Sequence, residues 1–268
     1  MKKILSLLVL VSAIVTAQNH RFVYDYQYVP NIKEKEATLK DLMALDISDN
    51  GSVYQSLSRM EFDSIRKAET LERLSKNNGG KTVSISFGPG GGKKGSITDI
   101  VTKTYPNYEI FLTTFIENDK YKISDSKKMD WKIGSETQKI MNYTAQKATT
   151  SFGGRDWVAW FTTELPFPDG PYKFHGLPGL IVKLEDTSGS HVMTLIANKK
   201  IAEKPKEEDE QNINGTIISF GGKEIPVTEE KFKKLWKDYV KDPAKEIRKN
   251  GEGYSEGDNK YVFVYEDR

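Results

Sequence analysis

Gly170-Pro171-Tyr172-Lys173-Phe174-His175-Gly176-Leu177-Pro178-Gly179-Leu180-Ile181 is the stretch from which the rest of the chain is read. Glycine and proline crowd it, and strongly β-like segments flank it. Leu177-Pro178-Gly179 reads as a tight turn. Proline presets φ at turn position i+1, and Gly179 supplies the positive φ of a type II turn at i+2. Leu177, before proline, is pushed towards extended backbone. The chain then enters Leu180-Ile181-Val182-Lys183-Leu184, which opens with three apolar residues and reads as a buried strand. Gly176, Leu177, Pro178, Gly179, Leu180 and Ile181 are therefore expected to form a rigid structural corner. The one chemical group beside it is His175.

Working outward, Gly153-Gly154 is a two-residue hairpin signal joining strands expected at 138–152 and 155–163. The second of these sets Trp157, Ala159 and Phe161 on one face and Val158 and Trp160 on the other, so it is expected to be covered on both sides. A further hairpin turns at Ser188-Gly189, between 180–186 and 191–199. Residues 20–29 alternate with period two, and Asp49-Asn50-Gly51 marks a turn into a strand at 53–57, while 38–48 is ambiguous between helix and strand. Short strands follow at 81–87, 97–104, 108–115, 121–124 and 213–220. Ser58-Arg59-Met60-Glu61 is a capping-box pattern opening a helix with Phe62, Ile65, Leu71 and Leu74 at helical spacing. Thr228 caps a second helix with Phe232, Leu235, Trp236 and Tyr239 on one face, and Asp242-Pro243 looks like the start of a third. Residues 261–265 read as a terminal strand or tail. Strands follow one another through hairpins without strand–helix alternation. The expected fold is mainly β: a curved antiparallel sheet or incomplete barrel with two or three packed helices, a β-sandwich being the alternative. Residues 18–268 are expected to form a single domain with a charged exposed loop at 204–211.

Lys2-Lys3, the apolar run 4–15 and Val15-Thr16-Ala17 have the layout of an export signal, so residues 1–17 are expected to be removed before Gln18. The apolar run is too short to span a bilayer, and no second one exists, so the chain is not expected to span a membrane. Removal takes two lysines and no acid, and the formal charge of +2 falls to 0. A neutral chain of interspersed charges lacks the basic face that nucleic-acid binding needs. The count of Cys is 0, which excludes disulfides, thiol nucleophiles, Cys-ligated zinc and a lipoprotein anchor. The expected location is the periplasm or the medium.

Gly88-Pro89-Gly90-Gly91-Gly92-Lys93-Lys94-Gly95 invites a phosphate-loop reading and fails it, with Phe87 where the first glycine belongs and Lys94 where Ser or Thr belongs. No G-x-S-x-G elbow is present. The three histidines, His20, His175 and His191, include no H-x-x-x-H pair, although His175 and His191 would meet if their strands paired in register. No metal, cofactor or catalytic set is expected from this. Glu164 and Asp169 flank Pro166-Phe167-Pro168 and are the pair a glycoside hydrolase would use, if they meet. Trp131, Trp157, Trp160, Phe161, Phe167, Tyr172 and Phe174 are either core or the lining of an apolar pocket beside the corner. Trp157, Trp160, Tyr172, Phe174 and His175 are the candidate binding residues.

Tyr143-x-Ala145-x-Lys147-Ala148, Arg155-Asp156-Trp157-x-Ala159-Trp160-Phe161-Thr162 and Gly170-Pro171-Tyr172-Lys173-Phe174-x-Gly176-Leu177-Pro178-Gly179-Leu180-Ile181 resemble the GLPGLI family, also called the Porph_ging family. The resemblance is specific over residues 140–184. It implies an exported protein of a Gram-negative bacterium. Many members carry Cys where this chain has Ala145 and Gly where it has Asn142. The family has no established activity, so it supplies no catalytic residues. The expected function is non-enzymatic: binding of a small apolar or peptide-like ligand, or of an outer-membrane protein partner. A hydrolase using Glu164, Asp169 or His175 is the alternative.

Overall fold

The computed structural model describes residues 19–29, 38–76, 83–85, 97–116, 119–125, 127–202, 210–213, 216–220 and 223–241. The expected signal segment, the 88–95 loop, the helix start at Asp242-Pro243 and the 261–265 strand lie outside them. In chain order the elements are β1 (Asn19–Tyr28), β2 (Leu39–Ser48), β3 (Gly51–Ser56), α1 (Leu57–Ser75), β4 (Val83–Ile85), β5 (Ile100–Thr104), β6 (Glu109–Ile116), β7 (Asp119–Asp125), β8 (Lys132–Ile140), β9 (Tyr143–Phe152), β10 (Arg155–Thr162), β11 (Leu180–Asp186), β12 (His191–Ile201), β13 (Glu210–Ile213), β14 (Thr216–Phe220), β15 (Glu224–Thr228) and α2 (Glu229–Lys241).

A 12-stranded sheet runs β15-β7-β6-β5-β3-β2-β1-β12-β11-β10-β9-β8, and β13-β14-β4 form a second, small one. Pairing is antiparallel except for β15 against β7 and β14 against β4. The two end strands do not pair with each other, so the large sheet is open. This is the curved-sheet expectation and not the sandwich. Period-two alternation builds one apolar face. Phe22, Tyr24, Tyr26 and Tyr28 of β1 are buried in step with Met43, Leu45 and Ile47 of β2, Tyr54 of β3 and Val101 of β5.

That face is concave, and one side chain shows it. The Phe174 ring lies 4.8 Å from that of Trp157 on β10, tilted to it by 58°. Its own carbonyl accepts a 3.2 Å hydrogen bond from Lys103 Nζ on β5. In the strand order β5 and β10 are six steps apart, which is about 29 Å in a flat sheet. The sheet must therefore curl around residues 165–179, the segment between β10 and β11. This segment fills the concavity: Tyr172, Phe174 and Leu177 are all core residues.

The segment turns by unusually tight means. The N–H groups of Phe167, Asp169 and Gly179 donate to the carbonyls of Leu165, Phe167 and Leu177 at 2.8, 2.7 and 2.7 Å. Each bond encloses one residue, and each time that residue is proline: Pro166, Pro168, Pro178. These are γ-turns, whose central φ near −75° suits the fixed φ of proline. The corner is thus a γ-turn about Pro178 and not the expected type II turn.

Other expectations change in detail. The single strand expected at 138–152 is two, β8 and β9, folded back at Met141-Asn142 with Met141 at φ 52°. Residues 38–48 resolve to strand. Helix α1 is capped two residues before the expected Ser58, by Ser56, whose Oγ accepts from Arg59 N–H at 3.3 Å. Of its expected apolar face, Phe62, Leu71 and Leu74 are half-buried and Ile65 is 51% exposed. Residues 210 and 211, expected in the charged loop, belong to β13, and the rest of that loop (204–209) lies outside the described residues. The α2 expectation holds: Lys231 N–H donates to Thr228 Oγ1 at 3.3 Å, and Phe232 packs edge-on to Tyr121 at 5.5 Å.

Candidate functional site

The segment 165–179 meets the sheet through charges as well as rings. Asp169 accepts hydrogen bonds from Lys103 Nζ, from Tyr105 Oη, from Ser52 Oγ at 2.6 Å and from its neighbour's backbone, Gly170 N–H, at 2.6 Å. Lys103 Nζ also donates to Gly170 O at 2.7 Å. Both ends of this ion pair are 0% exposed. A second buried pair reverses the polarity: Lys173 Nζ donates to Asp125 Oδ2 of β7 at 2.8 Å. Burial pulls both lysines below their ordinary pKa, and the partner carboxylates pull them back. Burial opposes ionisation of Asp125 as well, but Lys173 and the Lys127 N–H and charge together outweigh it, and the carboxyl sits below its ordinary pKa. The loop therefore contributes one acid and one base, and the sheet contributes one of each.

The expected binding residues divide. Trp157, Tyr172 and Phe174 come together in the buried cluster, with Trp157 Nε1 donating to Phe152 O at 2.9 Å. Trp160 lies on the opposite face of β10, between Lys147 and Lys183 in register, and is half-buried. His175 sits at the rim, half-buried and stacked on Tyr108 at 4.5 Å, with Nδ1 donating to Lys173 O at 2.9 Å. Burial lowers its pKa. Because His175 serves one local hydrogen bond and one ring contact, His175→Gln is expected to lower stability by about 1 kcal/mol in urea denaturation.

His175 and His191 do not meet. His191 is buried against Tyr26, sharing a 2.8 Å hydrogen bond through Nδ1. Glu164 and Asp169 do not meet either: Glu164 is exposed and accepts from Thr144 N–H at 2.8 Å, while Asp169 is enclosed. Among the described residues no group of three or more His, Cys, Asp or Glu side chains is placed to hold a metal ion. Sequence reasoning passed over Lys103, Asp125, Ser52 and Tyr105. Period two carried the signal for two of them. Lys103 is in step with buried Val101, and Asp125 with buried Tyr121 and Ile123.

Two further ionisable groups belong to this face. Asp99 accepts from Thr114 Oγ1 at 2.6 Å, and burial pushes its carboxyl up to about 6. Burial, with Arg155 nearby, pushes His191 down to about 4. Their linkages oppose each other. A histidine depressed on folding stabilises the fold above its unfolded pKa near 6.5, and that contribution is lost as pH falls towards 4. A carboxyl raised on folding stabilises the fold at low pH, and that contribution is lost as pH rises through 6. Each is worth at most about 3 kcal/mol, so between pH 4 and 6.5 they largely offset. Asp99→Asn is expected to expose the histidine: relative to wild type, its melting temperature should fall more steeply as pH drops from 6.5 to 4. Parallel pH profiles would show that Asp99 is not raised.

Comparison with solved structures finds the fold in "Structure of PNGF-II in P21 space group", at TM-score 0.51 and 17% identity over 82% of this chain and 33% of that one. "Structure of PNGF-II in C2 space group" matches at TM-score 0.51 and 18% identity, over 82% of this chain and 32% of that one. The chain thus spans about a third of the length of these solved chains. The likeness is one of fold. Comparison with curated proteins finds no match. Within the chain itself, residues 153–183 match the family described as Protein of unknown function (Porph_ging), which is the family the corner resembles.

Proposed function

We propose that this is an exported, non-catalytic protein of the cell envelope that binds an apolar or peptide-like ligand, or an envelope partner, at the aromatic face around the corner. The observation that carries the reading is the inward commitment of the motif's charges. Asp169 and Lys173 are spent on Lys103 and Asp125, so the family's segment serves as a scaffold. What remains half-exposed at its rim is aromatic: Tyr105, Tyr108, Trp131 and His175, with Tyr108 5.0 Å from Tyr105. Rings of this kind supply large contact area at low entropic cost. Among the described residues no helix is long and apolar enough to cross a membrane, and export rests on residues 1–17.

Native mass spectrometry of the protein purified from its own envelope tests both halves. The expected spectrum shows a chain starting at or near Gln18 and carrying a retained small ligand or protein partner. A chain beginning at Met1 would contradict export. A bare chain that turns over a panel of ester or glycoside substrates, with loss of turnover in Glu164→Gln, would replace binding with hydrolysis.

A further inference from the structure

Residues 165–179 and the sheet leave a narrow slot between them. Tyr26, Met43, Tyr54, Asp99, Tyr172 and Met193 are among the residues that line it, and its volume of about 20 Å³ admits one group of the size of a water molecule. Its chemistry is one-sided. Tyr54 is 2% exposed, and its hydroxyl has no hydrogen-bond partner among the described residues. Asp99 is half-buried as a residue, and Thr114 supplies its carboxylate one 2.6 Å hydrogen bond. Lys173, whose charge reaches Asp99, is committed to Asp125 at 2.8 Å. The walls are tyrosine rings and two thioethers. They offer carboxylate and phenol lone pairs and π faces to whatever enters.

A group that fits must be small, cationic and rich in donors. An anion is repelled by Asp99. A guanidinium or an imidazolium is too large. An ammonium can donate to the groups that line the slot, Asp99 and Tyr54 among them, and gains from the aromatic faces. We propose that the slot formed by Asp99, Tyr54, Tyr26 and Tyr172 is a binding site for the primary ammonium group of a ligand. The proposal rests on the reading of this protein as a binder, and it names the head group that such a ligand carries.

The test uses the full mature chain and n-butylammonium chloride at pH 7.5, followed by thermal shift and calorimetry. n-Butanol, butyrate and sodium chloride at equal concentrations are the controls. The expected result is a saturable rise in melting temperature with butylammonium alone. Asp99→Asn is expected to weaken binding by about tenfold or more, and Tyr54→Phe, which keeps the ring, by several-fold. A butanol response equal to that of butylammonium would overturn the proposal, as would an undiminished response in folded Asp99→Asn and Tyr54→Phe. The two readings fail separately. A native ligand without an amine would remove the ammonium site and leave binding intact. A chain that takes butylammonium but comes from the envelope bare and catalytically active would do the reverse.

Discussion

Gly179→Ala should destabilise the protein by about 3 kcal/mol or more, a large part of the stability of an ordinary domain. A Cβ built at Gly179 would lie 2.1 Å from the carbonyl oxygen of Thr162 and 2.7 Å from its carbon. The obstruction is the backbone of β10, which cannot swing aside like a side-chain tip. Gly179 also has φ of 157°, which an L-residue adopts only with strain. Gly176→Ala is the matched control. Gly176 has φ of 89° and nothing within 4 Å of the added carbon, so it bears the conformational cost alone, about 1 kcal/mol. Urea denaturation of the two variants should separate them clearly. Equal midpoints would mean that β10 and the corner are not in contact as described. The turn chemistry read from sequence puts the need for glycine in the turn itself. The larger part lies in the close approach of a strand that the turn signal cannot report.

Lys103→Met is the second large effect, expected at about 3–5 kcal/mol. The substitution keeps the apolar stem and removes the ammonium. Asp169 is then enclosed with Ser52, Tyr105 and the Gly170 N–H as donors and no countercharge. Carbonyls Gly170 O and Phe174 O lose their donor as well. The double variant Lys103→Met/Asp169→Leu should recover part of the loss, because a buried pair is costly to break and much less costly to replace by apolar groups. Recovery should be incomplete, since Ser52 and Tyr105 keep unsatisfied hydroxyls. If Lys103→Met is as stable as wild type in urea, the pair is not closed off from solvent.

How much of this was legible follows from how local each signal is. The hairpin at Gly153-Gly154, with φ of 62° and 75°, is written in two adjacent residues. The β8–β9 turn is equally tight but uses Met141 and Asn142, so no glycine or proline announces it. Nothing local says that β1 lies between β2 and β12, or that β15 joins β7 in parallel across a hundred residues. The aromatic set around the corner could be read as core or pocket, and its members go different ways because period two separates Trp157 from Trp160. The partners of Asp169 and Lys173 were hidden for a plainer reason. A lysine in a strand is usually a solvated side chain, and only its step with buried Val101 marks Lys103 as an inward one.

The central claim is that residues 165–179 are a fixed filling of the concave sheet and not a lid over it. Amide hydrogen exchange at peptide resolution tests it directly. Gly176, Gly179, Leu180 and Ile181 donate backbone bonds of 2.7–3.0 Å to Pro168, Leu177, Leu165 and Asp169, and the buried charge pairs anchor the segment to β5 and β7. Such a unit opens only when the sheet does. The prediction is that peptides covering 165–181 exchange as slowly as those of β1 and β11, and that Lys103→Met accelerates all of them together. Rapid exchange of 165–181 over a protected sheet would contradict it, and would make the corner a movable cover.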